Sequence, residues 1–251
     1  MTSTYPFALA ATLALAAVPA NAAIAPGEEM VLAVKYLNLH SGEGRLTVGE
    51  PQGDIWPVIL QARTEGVAGF LDIREHLVSY WDATTRLPRG SDLKAVEIGD
   101  YHADSVRFDR ANGKATLTTQ RKGKTKTRTI EVPPDVMDLT SAALHLRLQP
   151  LAIGKRIEVP VATGKRVFKL TAQVVGREDV KTPAGTFASW RMLIRTTAKD
   201  GNFTSDRDMT LWMSDDPRRL IVRFEADFKI GSMVAQLKSY KPGNRVASAA
   251  R

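Results

Sequence analysis

The feature that most constrains the fold is a period-two alternation of apolar and polar residues along most of residues 29–241. Successive side chains of a β-strand point to opposite faces, so this alternation indicates strands that bury one face. Turn-forming pairs recur at short intervals. Asn112-Gly113 is the strongest of them, because both central residues of a type I′ turn need a positive φ. The sequence therefore predicts roughly ten to thirteen antiparallel strands, joined mostly by hairpins.

One segment, Asp138–Leu148, departs from this alternation and has helical spacing. Asp138 or Thr140 can cap its first turn, and Pro150 stops the helix. The apolar side chains that should share one face of this helix are Leu139, Ala143 and Leu146. We therefore predict one short helix, packed on the sheet, at about 138–148.

The predicted helix divides the chain into two β-rich halves, 29–132 and 155–241. No low-complexity linker separates the halves, so we predict a single β-rich domain over 23–241, followed by a disordered tail at 242–251. Many antiparallel strands and one helix indicate a mainly β fold, either a large curved antiparallel sheet or an open barrel. The concave face of such a sheet can hold an apolar molecule.

The first residues, 1–22, have the form of a cleavable secretory signal. An apolar run of about a dozen residues suits a signal and is too short for a membrane span. Ala20 and Ala22 give the small-x-small pattern of signal peptidase, which predicts cleavage after Ala22. No Lys or Arg precedes the run, and the alternative is a buried N-terminal helix. We predict a periplasmic protein, with secretion as the alternative, and no transmembrane span in its mature form.

The chain has no cysteine, which excludes disulfides and a lipid attached to a cysteine. Its formal net charge is +8, and residues 1–22 carry none of it. A basic protein is drawn to anionic surfaces, which in an envelope are lipid headgroups, lipopolysaccharide and acidic glycans. Nucleic acid is not an expected partner outside the cytoplasm. The alternative interpretation is that the charge only keeps the protein soluble.

Several motifs, taken together, carry a resemblance to a known family. In chain order they are Pro26-Gly27-Glu28-Glu29, Ser41-Gly42-Glu43-Gly44, Trp81-Asp82-Ala83, Val132–Asp138, Leu151–Gly154, Val180–Phe187, Leu211–Leu220 and Lys229-Ile230-Gly231-Ser232. In this order and spacing the chain resembles the exported bacterial family of domain of unknown function 3108. The resemblance implies an envelope protein of Gram-negative bacteria with no established activity and no catalytic residues. Since some members are lipoproteins, a chain without cysteine resembles the soluble members.

Catalytic, phosphate-binding and cofactor motifs are missing from the sequence, so we predict no cofactor. The best local group of metal-ligating side chains is Asp100, His102 and Asp104, which fall on one face if this segment is a strand. These residues are a weak candidate for a cation site. The alternative is the solvated face of a hairpin.

Two further groups are candidate binding residues. A basic run at the tip of a predicted hairpin could contact an anionic surface, or could protect an edge strand from aggregation; its cations are Arg121, Lys122, Lys124, Lys126 and Arg128. Trp81, Trp190 and Trp212 lie in alternating segments. They either pack in the core or line a ligand cavity.

These observations favour a non-enzymatic periplasmic protein that binds or chaperones an apolar or amphiphilic envelope component, such as an anionic lipid, lipopolysaccharide or an envelope protein. One alternative is a structural or assembly partner of a cell-envelope complex that holds no small ligand. Another is a hydrolase of envelope glycan or lipid, since its two carboxylates could come from separate strands and leave no local motif.

Overall fold

The computed structural model describes residues 24–163, 166–198, 209–227 and 231–244. The predicted signal and the distal part of the predicted tail lie outside these residues, as does Asp200-Gly201-Asn202, another segment whose composition predicts a turn. The N-terminal half contains β1 (Glu29–Tyr36), β2 (Leu39–Val48), β3 (Ile55–Thr64), a 3-10 helix (Gly66–Leu71), β4 (Arg74–Asp82), β5 (Leu87–Glu97), β6 (Asp100–Asp109), β7 (Lys114–Arg121) and β8 (Lys124–Glu131).

Helix α1 (Leu139–Arg147) connects this half to the C-terminal half. That half contains β9 (Arg156–Ala162), β10 (Val167–Thr182), β11 (Gly185–Ala198), β12 (Met209–Ser214), β13 (Ile221–Asp227) and β14 (Ser232–Lys241). The described residues thus hold fourteen strands, one more than the upper end of the predicted range.

All fourteen strands form one antiparallel sheet, and every paired set of strands but one consists of neighbours in sequence. The exception is the pairing of β1 with β14, which joins the two halves in the middle of the sheet, from Glu29 opposite Lys241 to Tyr36 opposite Met233. The outermost strands, β8 and β9, do not pair with each other. The prediction of a large curved antiparallel sheet or an open barrel with a short α-helix is confirmed.

Helix α1 lies on the concave side of the sheet and contacts both halves. Its Ala142 and Leu146 belong to a core cluster with strands β9–β12, whereas Leu144 packs into a second cluster with strands of both halves. The predicted apolar face is wrong in one respect, because Leu139 is exposed and Leu144 is fully buried. A helix inside a curved sheet is covered on several sides, so a single apolar stripe does not describe it.

The hairpin turns of the N-terminal half define two ends of the sheet. At the end next to α1, which we call the helix end, β6 and β7 are joined at Asn112-Gly113 as predicted. The predicted type I′ turn is wrong, because Gly113 has a positive φ and Asn112 does not. At the opposite end, which we call the rim, three two-residue turns have positive φ at both positions: Leu37-Asn38, Ile98-Gly99 and Lys122-Gly123.

Candidate functional site

The open side of the sheet is bridged by residues 132–138, which run from β8 into α1. The backbone of Met137 joins this connector to β9: its N–H donates to Pro160 O at 2.9 Å and its carbonyl accepts from Ala162 N at 2.9 Å. On the other side, the guanidinium of Arg110 donates to the carbonyls of Pro134 at 2.5 Å and Val136 at 3.0 Å. The connector therefore links β9 to the β6–β7 turn across the open side of the sheet.

A cleft of about 870 Å³, which we call the seam cleft, lies between these two edges. Its lining comes from the β6–β7 turn, the start of β7, the end of β8, the connector, β9, β10 and β11: Asn112, Gly113, Lys114, Glu131, Val132, Pro133, Asp135, Glu158, Val159, Pro160, Val167, Phe168, Lys169 and Thr197. Below it, Ala115, Val132, Val136 and Ala162 form a small buried apolar cluster. The lining of the cleft thus mixes apolar side chains, such as Pro133 and Phe168, with five charged ones.

The charged side chains that line the seam cleft are partly paired with one another. Glu158 accepts from Arg156 Nε at 2.9 Å and lies 3.4 Å from Lys169 Nζ. Lys114 and Lys169 supply positive charge, and Glu131, Asp135 and Glu158 supply negative charge. This distribution can accommodate a polar group beside an apolar one.

An ion pair inside the protein anchors the C-terminal end of α1. The guanidinium of Arg147 donates to both carboxylate oxygens of Glu28, at 2.6 and 3.0 Å. The same guanidinium also donates to the carbonyls of Arg218 at 3.0 Å and Arg219 at 3.1 Å. The Arg147 and Glu28 side chains are 0% and 1% exposed, so every charge here depends on its protein partners.

The N-terminal end of α1 is anchored by Asp138, which confirms the first of the two predicted caps. Its carboxylate accepts from the backbone N–H of Ser141 at 2.8 Å and from the Ser141 hydroxyl at 2.6 Å. The hydroxyl of Ser79, on β4, donates to it at 2.6 Å. Burial raises the pKa of the Asp138 carboxyl, while these hydrogen bonds act in the opposite direction.

The three tryptophans predicted as candidate ligand contacts lie apart from the seam cleft. Trp81 is buried in the core and meets Trp56 edge-on, with ring centroids 5.8 Å apart. Trp212 is buried as well, and its indole N–H donates to Glu178 at 2.6 Å. Trp190 is half-buried against the core and donates to Asp215 at 2.6 Å. None of the three lines the cleft.

The candidate cation site on β6 is not assembled. Asp100 accepts from Arg121 at 2.5 and 2.9 Å, so its carboxylate is already paired. His102 Nδ1 and Asp104 Oδ1 are buried without a hydrogen-bond partner. In the described part of the chain, no group of three or more His, Asp or Glu side chains is placed to hold a metal.

The basic run forms the β7–β8 hairpin, as the sequence predicts, and its cations divide between two positions. Lys122 lies in the turn, and Arg121 pairs with Asp100 beside it. On β8, the register places Arg128 opposite Leu117, a buried core residue. Alternate residues share a face, so Lys124, Lys126 and Arg128 lie on the concave face of the sheet. Their contact with an anionic surface stays a prediction.

Sequence reasoning missed both the seam cleft and the buried ion pair. The cleft joins segments near residues 113, 132, 159 and 168, which no local pattern connects. A signal for the ion pair was present, because Arg147 stands between two leucines, Leu146 and Leu148, in the helical run. An arginine in such a run calls for a carboxylate partner, but the run does not say which one.

A single curved antiparallel sheet with unpaired end strands and a helix on its concave side defines the class of open, β-barrel-like proteins. Within it, the chain belongs to the family described as "Protein of unknown function (DUF3108)", whose model matches residues 32–238. No curated protein matches the sequence. Among the described residues, no helix has the length and hydrophobicity needed to cross a membrane.

Solved structures resemble the fold at low sequence identity. A β-barrel-like protein of domain of unknown function DUF1849 from Brucella abortus has a TM-score of 0.60 and 11% identity, covering 88% of this chain and 99% of that one. A candidate lipoprotein from Parabacteroides distasonis has a TM-score of 0.34 and 13% identity, with 86% of this chain and 95% of that chain covered. The first comparison supports the fold alone.

Proposed function

We propose that this protein is a non-enzymatic periplasmic protein that binds or chaperones an apolar or amphiphilic envelope component in the seam cleft. One observation carries the proposal: a cleft of about 870 Å³ lies between two sheet edges that do not pair with each other. Ligand pockets in proteins commonly measure roughly 300–1,000 Å³ and have mainly apolar walls with a few polar groups.

The lining of the cleft matches an amphiphile in its chemistry. Pro133, Val167 and Phe168 are partly exposed and provide apolar surface for a hydrocarbon segment. Lys114 lies at its border, where it can pair with an anionic group while the hydrocarbon is buried. The connector is fixed on both sides by hydrogen bonds, so the cleft is formed before any ligand enters.

The compartment in this proposal depends on the predicted signal. Expression of the full chain in a Gram-negative host, followed by intact-mass measurement of periplasmic protein, should give a chain that starts at Ala23. Recovery only from the cytoplasm, with residues 1–22 retained, would contradict the proposed compartment.

Native mass spectrometry of residues 23–251, purified gently from a bacterial periplasm, tests binding most directly. We expect a reproducible adduct of lipid mass, and the mass should identify the class of the ligand. A clean mass of the protein alone, together with empty lipid extracts, would argue against a carrier.

A site-specific reporter locates the ligand, because the protein has no cysteine of its own. Asp135→Cys places a polarity-sensitive bimane label at the cleft and keeps Lys114, and Arg195→Cys places the same label on an exposed residue of β11 outside it. Titration with palmitic acid or lysophosphatidylglycerol should give a saturable blue shift at position 135 and none at position 195. Equal responses at both positions would place the ligand elsewhere.

The free edge of β8 favours a second candidate, an assembly partner of an envelope complex. This strand is paired on one side only, and Lys124–Thr129 are exposed. An exposed edge can accept a strand from another protein. Photo-crosslinking from Thr127, compared with the outer face of β11 at Arg195, should capture a discrete protein if this candidate is correct.

A further inference from the structure

The rim carries a group of exposed apolar side chains that the seam cleft does not use. Phe70 is 81% exposed and Ile98 is 75% exposed, which is unusual for side chains of this size. We call the group the apolar tips; its members are Leu37, Leu39, Val67, Phe70, Ile98 and Tyr101. They come from the β1–β2 turn, the 3-10 helix between β3 and β4, and the β5–β6 turn.

Hydrogen bonds join these three segments side by side. Glu65, which precedes the 3-10 helix, donates its N–H to Ser41 O at 2.9 Å in β2. At the other end of that helix, Leu71 O accepts from Ile98 N at 3.0 Å. The apolar tips therefore form one continuous row along the rim, rather than scattered exposed residues.

Two of the tips have a backbone conformation that their residue types disfavour. Leu37 has a φ of 52° and Ile98 a φ of 53°, in turns where Asn or Gly is usual. A β-branched residue at positive φ is rare, and backbone strain of this kind concentrates at functional positions. Leu37 is 52% exposed and lies against Gly231, whereas Ile98 is 75% exposed and gains little burial in return. A contact outside the chain would account for the apolar character of Ile98 at this turn position.

The basic hairpin continues this row. A pocket of about 380 Å³ lies between Tyr101 and the β7–β8 turn, lined also by Gln120, Arg121, Lys122, Gly123, Lys124 and Thr125. Asp100 neutralises part of this charge, since it pairs with Arg121 and lies 3.8 Å from Lys122. Lys124 forms no ion pair with any residue that the structure describes. The row thus ends in a positively charged pocket of a size that can hold a phosphate headgroup.

We propose that the rim docks on an anionic phospholipid bilayer, with the apolar tips in the interfacial region and a lipid phosphate in the pocket beside Tyr101 and Lys124. Apolar side chains next to lysines match the two layers of such a surface, hydrocarbon below and anionic headgroups above. This surface is separate from the seam cleft, so the proposal stands whether or not the cleft holds a ligand.

Vesicle sedimentation tests the proposal with the full mature chain, residues 23–251. Vesicles of phosphatidylglycerol and phosphatidylcholine should bind the protein, and vesicles of phosphatidylcholine alone should bind it at least tenfold less. Phe70→Ser with Ile98→Asn keeps every charge, and should lower the partition coefficient at least tenfold. Ile153→Ser, which removes a 69% exposed apolar side chain next to the start of β9, should leave it unchanged.

The charged part is tested by Lys122→Gln with Lys124→Gln, which should weaken binding and flatten its dependence on salt. Adsorption through the net charge of +8 would leave the Phe70 and Ile98 double variant bound as well as the unmodified protein, and that result would overturn the proposal. So would the absence of binding to anionic vesicles at low salt.

A measurement of membrane depth distinguishes a loss of docking from a folding defect in these variants. A bimane label on Ile98→Cys should be quenched by brominated lipids in anionic vesicles, and a label on Ile153→Cys should not. Quenching that is equal at the two positions, or absent at Ile98, would contradict docking through the rim.

Discussion

The helix end and the rim of the sheet differ in which side chains they bury and which they expose. At the helix end, charged groups are buried, and Arg147, Glu28 and Asp138 all find partners within the chain. At the rim, apolar groups are exposed, and Phe70 and Ile98 find no cover. Stability of the protein should therefore depend on the helix end, whereas the rim should tolerate substitution. Five predictions test this difference.

The largest effect is expected for Arg147→Met, which leaves the carboxylate of Glu28 buried and unpaired. Loss of one partner from a buried ion pair typically lowers the free energy of unfolding by about 3–5 kcal/mol. Urea denaturation should show this loss. The control is the double variant Glu28→Leu with Arg147→Met, which should recover much of it. Equal losses in the single and double variants would show that the two residues do not act as a pair.

A second variant at the helix end, Asp138→Ala, removes the helix cap and also removes the carboxylate to which the buried hydroxyl of Ser79 donates. Together these effects should lower the free energy of unfolding by about 2 kcal/mol. The matched control is Asp109→Ala, which removes an exposed carboxylate that accepts from Asn112 in the β6–β7 turn. Equal losses of stability in the two variants would show that burial of Asp138 does not increase its contribution to the free energy of unfolding.

An exposed ion pair between the two ends gives a reference for the buried one. Arg107 donates to both oxygens of Asp92, at 2.8 and 3.0 Å, and this pairing lowers the pKa of Asp92 to about 2. Solvent screens the pair, so Asp92→Asn should lower the free energy of unfolding by less than about 1 kcal/mol at neutral pH.

The difference in free energy of unfolding between the unmodified protein and Asp92→Asn should depend on pH in a definite direction. A carboxyl whose pKa is lower in the folded state stabilises the protein above its ordinary value of 3.8. That contribution is lost as the pH falls from 3.8 towards 2. The free energies of unfolding of the unmodified protein and of Asp92→Asn, measured across this range, should therefore converge as the pH falls. A gap that widens on acidification would contradict the assigned cause.

The smallest effect, and the only gain, is expected at the rim. Asn accepts positive φ more readily than a β-branched residue, so Ile98→Asn should raise the free energy of unfolding by about 0.5 kcal/mol. Ile153→Asn, at a position without positive φ, should give no gain. A loss of stability in Ile98→Asn would mean that the side chain of Ile98 supports the fold.

Local signals predicted much of the fold and little of the site. The alternation of side chains gave the antiparallel sheet, and the capping residue with Pro150 placed α1 to within one residue at each end. The helix faces were harder, because Leu144 is buried by strands far away in sequence. The seam cleft could not be predicted, since it exists only where the edges of β8 and β9 stop short of each other.

The pairing of β1 with β14 sets the order in which the chain can fold. Every other pair in the sheet joins neighbours in sequence, and these local hairpins can form early. The partner of β1 is the last strand described, so one edge of β1 stays bare until β14 is available. A chain crossing a membrane from its N-terminus would therefore finish folding only after β14 had crossed. During that interval a chaperone could bind the bare edge of β1, which includes Val31 and Ala33, and so protect the chain from aggregation.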